Sequence, residues 1–127
     1  MGKGEIEKSC SIFEIQSKAA PDALSILFLK YKFALSANLK ELNRTDSPEF
    51  QEWAWRDFQY GYFVAQVYAI ANDKKESLKW LEHAVDIGMI NYPFIKEHDP
   101  LIENIRGEER FIKLMKRVKK EWEDFEV

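Results

Sequence analysis

Val64-Ala65-Gln66-Val67-Tyr68-Ala69-Ile70-Ala71-Asn72-Asp73-Lys74-Lys75-Glu76-Ser77-Leu78-Lys79-Trp80-Leu81-Glu82-His83-Ala84 is the stretch whose reading decides the fold. Asn72-Asp73 interrupts an apolar run, and Asp73 followed three residues later by Glu76 is an acidic form of the capping box that opens a helix. Beyond it, Leu78, Leu81, Ala84 and Val85 share one face at the helical period, Trp80 and Ile87 widen that face, and Gly88 is placed to end the helix. Two helices joined by a tight turn are the direct reading of this stretch.

Working upstream, Ser47-Pro48-Glu49 combines an N-cap residue, a proline at the first helical position and an acidic first turn. The spacing therefore predicts one helix over 48–71, carrying Phe50, Trp53, Trp55, Phe58, Tyr62 and Tyr68, with Gly61 as a place where another helix approaches closely. Before the loop Asn43-Arg44-Thr45-Asp46, an unbroken helix is expected over 22–42, opened by Pro21-Asp22. Its apolar residues, among them Leu24, Leu27, Phe28, Tyr31 and Leu35, do not fit a single stripe, so it is either sandwiched internally or covers a partner. Ile6, Cys10 and Phe13 suggest a short helix over 5–17.

Downstream, Tyr92-Pro93 and Asp99-Pro100 read as caps of short helical turns, and Gly107 allows a break. Phe111, Leu114, Met115, Val118, Trp122 and Phe125 then follow the helical period through a final helix over 108–125. No segment alternates as a strand does. The expected class is all-α, in a single domain spanning 1–127.

Composition narrows function. The chain has 127 residues with 32% charged and 46% hydrophobic, the ordinary globular range. A net charge of −3 with interleaved basic and acidic residues lacks the footprint of a nucleic-acid binder. The most apolar stretch is broken by Lys30, Lys32 and Lys40, so no membrane span is expected. Cys10 is the only cysteine and residues 1–6 carry no apolar leader core, which together suggest a reduced, cytoplasmic setting.

Residues 58–91 resemble a tetratricopeptide repeat, the antiparallel helix pair of the helical-repeat proteins. The resemblance rests on Ala65 and Tyr68 in the first helix and on Ser77, Leu81 and Ala84 in the second. Gly61 departs from the family's usual tryptophan, Asn72 from its inter-helix glycine and Met89 from its closing proline. The run Gly88-Met89-Ile90-Asn91-Tyr92-Pro93-Phe94, then His98-Asp99-Pro100-Leu101 and Asn104-Ile105-Arg106-Gly107, is similar to the closing module of tetratricopeptide regions at the C-terminal ends of bacterial signalling proteins such as serine/threonine kinases, adenylate cyclases and winged-helix regulators. The resemblance implies a TPR-like α-α superhelix in which the helices over 5–43 and the helix over 108–125 act as caps. It further implies a protein or peptide ligand on the inner face of the first helix, at Gln59, Tyr62, Gln66 and Ala69.

A search for catalytic constellations points away from an enzyme. His83 and His98 are the only histidines, and Glu97-His98-Asp99 lacks the further ligands that a metal phosphohydrolase needs, so no metal and no cofactor is expected. Asp99 reads as a cap for the turn that Pro100 opens. Arg110, Lys113, Arg117 and Lys120 form a basic stripe that reads as a solvated face, with Glu121, Glu123 and Asp124 nearby. The expected function is a non-catalytic interaction module. The alternative is a homodimerisation or scaffold domain that uses the helix over 22–42, with Phe28, Tyr31 and Leu35 at the interface.

Overall fold

Two polar segments divide what the hydrophobic pattern joins. In the computed structural model, which describes residues 22–125, the helix expected over 22–42 is two helices, α1 (Asp22–Leu35) and α2 (Leu39–Arg44). At the join Ala37 adopts φ 56°. The Asn38 amide reaches back to the Phe33 carbonyl at 2.8 Å, the wrap-around bond of a Schellman ending. Asn38 then caps α2, its side-chain oxygen accepting from the Glu41 amide at 3.3 Å. Apolar periodicity misses this break because Leu39 and Leu42 continue the hydrophobic pattern through it.

The helix expected over 48–71 is divided in the same way, into α3 (Pro48–Trp55) and α4 (Phe58–Ile70). Asp57 is extended, and its carboxylate accepts from the Gln59 amide at 2.8 Å and the Tyr60 amide at 3.3 Å. A short carboxylate that competes for backbone amides is more stable as a cap than inside a helix. The helix expected over 5–17 lies outside the described residues. No strand occurs among those described, and the all-α class stands.

The chain groups into two compact units, the first ending at Trp53 and the second beginning at Ala54. In the first, Leu27, Tyr31, Ala34, Leu42 and Phe50 are buried. Lys30 is buried with them: its ammonium pairs with the Asp46 carboxylate and lies 5.0 Å from the centre of the Phe50 ring. Burial pushes the Lys30 pKa below its ordinary value, while the hydrogen bond and the charge of Asp46 act in the opposite direction.

The second unit is organised by α4 and α5 (Lys74–Asp86). Gly61 faces Ala84 and Trp80, and the Ser77 hydroxyl donates to the Ala65 carbonyl at 2.7 Å, so the two helices run antiparallel. Asn72, at φ 62°, makes the turn between them, and Asp73 caps α5 by accepting from the Glu76 amide at 3.2 Å. Asparagine tolerates the left-handed region because its short polar side chain offsets part of the steric cost. Beyond α5, a single π-helical turn (Phe94–His98) and a 3-10 segment (Pro100–Ile105) bury Ile95, Ile102 and Ile105 completely. The last helix, α6 (Glu109–Phe125), buries Phe111, Leu114, Met115 and Val118 along one face.

A candidate binding cleft on α4

The cap at Asp57 fixes where α4 begins, and the helical period decides which of its residues share a face. Gln59, Tyr62, Phe63 and Gln66 fall three or four residues apart, on neighbouring turns of the helix. Together with Phe58 and Phe94 they line a cavity of about 430 Å³, within the size range of ligand pockets. Its walls are mainly apolar. Phe58 and Phe94 are 42% and 36% exposed, and Gln59 is exposed beside them.

Deeper in, Tyr62 and Gln66 are almost wholly buried and converge on one acceptor. The Tyr62 hydroxyl donates to the Asp99 carboxylate, and the Gln66 side-chain amide donates to the same oxygen at 2.7 Å. The second Asp99 oxygen accepts from the Leu101 amide at 2.9 Å, which is the capping role the sequence suggests. Arg106 completes the arrangement, its guanidinium donating to the Asp99 carbonyl at 2.6 Å and to the Ile95 carbonyl at 3.1 Å. A carboxylate with 1% exposure is thus satisfied by three donors, as a buried charge requires.

Of the four positions selected on α4, the structure brings Gln59, Tyr62 and Gln66 to one cleft. Ala69 has no exposed surface, and its carbonyl accepts from the Asn104 side-chain amide. Phe58, Phe63 and Phe94 join the cleft although the sequence does not mark them as binding residues. Their signal was aromatic residues flanking the chosen face, which core packing produces equally well. On α1, Tyr31 is 7% exposed, and Phe28 and Leu35 are half-buried.

The His83 ring stacks on Trp55 at 3.4 Å between ring centres, and its Nε2 lies 2.6 Å from the Trp55 carbonyl, an acceptor, so that nitrogen carries the proton. His98 is exposed. Among the described residues no group of three or more histidine, cysteine, aspartate or glutamate side chains is placed to hold a metal ion. No described helix is long and apolar enough to cross a membrane. No family model, curated protein or solved structure matches this chain.

The basic stripe on α6 is largely paired. Arg110 bonds to Glu82 of α5, Arg117 to Asp86 at 2.6 Å and Lys113 to Glu109 at 3.3 Å. The bond to Glu82 holds Arg110 protonated above its ordinary range, and the bond to Asp86 does the same for Arg117. The two exposed pairs that reach α5, Arg110 with Glu82 and Arg117 with Asp86, orient α6 against it more than they stabilise it, whereas Lys113 and Glu109 pair within α6.

Proposed function

We propose that this chain is a non-catalytic protein-interaction module of the tetratricopeptide type, serving a signalling or regulatory protein in the bacterial cytoplasm. The observation that carries this reading is the cleft on α4. Its floor groups, Tyr62 and Gln66, are already fixed by Asp99, so the surface is ordered before any ligand arrives. Preorganisation lowers the entropic cost of binding, and Phe58 and Phe94 at the mouth are the kind of aromatic anchors that dominate peptide interfaces. An extended or helical peptide that places an apolar side chain between them fits this chemistry, with Gln59 supplying a polar contact at the rim.

Panning a displayed random-peptide library against the folded chain tests the proposal, followed by calorimetry of the enriched peptides on the parent and on Phe58→Asp and Phe94→Asp. The expected result is an enriched peptide that loses about tenfold or more in affinity in both variants. Failure to enrich any peptide, or indifference to both substitutions, sinks the reading.

A further inference from the structure

A second cleft lies between α6 and the segment around the π-helical turn, with a volume of about 460 Å³. Phe111 and Met115 form an apolar floor, and Ile112, 48% exposed, stands at its edge. Lys96, Arg106, Lys116 and Lys119 also line it, and no lining residue is acidic. Four cations gather here on a chain whose net charge is −3.

The contrast within α6 is informative. Arg110, Lys113 and Arg117 each have a carboxylate partner, whereas neither Lys116 nor Lys119 forms an ion pair among the described residues. Arg106 bonds to the carbonyls of Ile95 and Asp99, which fixes its guanidinium without cancelling its charge. Lys96 lies over the Tyr92 ring at 5.3 Å, which holds it near the cleft, and the neighbouring Glu97 carboxylate offsets part of its charge. Positive charge is therefore concentrated over an apolar floor, with no ion pair at Lys116 or Lys119 among the described residues, in contrast to the largely paired stripe on the same helix.

We propose that this cleft docks an acidic segment of a partner protein, seating a bulky apolar side chain on Phe111, Ile112 and Met115 while flanking carboxylates meet Lys96, Arg106, Lys116 and Lys119. The mixed chemistry favours a peptide: the apolar floor rewards a buried side chain, which a bare anion lacks. Like the proposed function it assumes a protein-binding module, but it concerns a cleft other than the one on α4.

Fluorescence polarisation with a labelled peptide of alternating glutamate and leucine tests it, using the full chain. The parent is expected to bind saturably, with affinity falling as salt is raised. The double variant Lys116→Glu, Lys119→Glu should weaken binding about tenfold or more. The charge-matched control Lys113→Glu, Lys120→Glu, on the other stripe of α6, should bind as the parent does. Circular dichroism verifies that both variants are folded. Three results overturn the proposal: no saturable binding by the parent, equal losses in the two double variants, or displacement of the peptide by inorganic phosphate as effective as by unlabelled peptide. Binding of the parent to phosphatidylserine vesicles without binding to the peptide overturns it in favour of a lipid surface. If displayed peptides bind the α4 cleft while the acidic peptide fails here, the proposed function stands and this inference alone falls.

Discussion

Tyr62 and Asp99, 37 residues apart, are joined by a hydrogen bond buried from solvent that ties the first helix of the antiparallel pair to the segment closing it. The bond gives Tyr62 a structural role in addition to its place in the cleft. Tyr62→Phe keeps the ring and removes the donor, leaving Asp99 with Gln66 and Leu101. The expected cost is about 1.5–3 kcal/mol, the usual contribution of a hydrogen bond to a charged group. Urea unfolding measures it, and calorimetry with a cleft-binding peptide should show a smaller change. A variant of parental stability would place Asp99 in a different hydrogen-bond arrangement.

Ala37 and Gly61 make a matched pair of backbone tests. Ala37 holds φ 56°, a region that costs a residue with a Cβ about 1 kcal/mol or more, so Ala37→Gly should stabilise the chain by about 1 kcal/mol. A Cβ at Gly61 would meet the Ala54 carbonyl at 3.6 Å and the Ala84 Cβ at 3.7 Å, both ordinary contacts. Gly61→Ala should therefore gain roughly 0.5–1 kcal/mol from helix propensity. Close approach of a neighbouring helix does not require glycine at this position. Denaturant midpoints at unchanged slope decide both.

Gly88 predicts the opposite outcome. It sits at φ 138°, and a Cβ there would lie 3.1 Å from the Phe58 ring. Gly88→Ala should destabilise the chain by roughly 1–3 kcal/mol through backbone strain and should displace Phe58 from the cleft mouth. Weaker peptide binding together with a lower melting temperature is the expected signature. A variant that binds and melts like the parent would remove Phe58 from the binding argument.

Lys30 gives a pH dependence. Its pKa in the folded chain is lowered by burial, so between that value and the ordinary lysine pKa the unfolded chain binds more protons than the folded one. Its contribution to stability therefore rises as pH increases through that window, as the cost of burying a charge is relieved. Lys30→Met should flatten this part of the stability profile. Urea unfolding on the alkaline side of neutrality, parent against variant, measures it, and an unchanged profile would mean that Asp46 fully compensates the burial.

Much of the local structure was legible in the sequence. Asp73 caps α5, Asn72 makes the left-handed turn and Asp99 caps the segment opened by Pro100, each as its residue type and spacing suggest, because capping is decided within a few residues of chain. The breaks at Asn38 and Asp57 are not legible in the hydrophobic pattern. The apolar period runs unbroken across both, and a single capping side chain outweighs it only once the backbone beyond has packed.

The sequence by itself determined the helical class, the α4–α5 pair and the residues that share the α4 face, all of which follow from period and caps. Only the tertiary structure decided what those residues do. It brought Asp99 from a distant segment to Tyr62 and Gln66, placed Ala69 beneath Asn104, and paired three of the four cations of one basic stripe of α6 while leaving Lys116 and Lys119 over an apolar floor. Burial and charge compensation belong to groups that meet across long stretches of chain, and the spacing along a helix does not record which groups will meet.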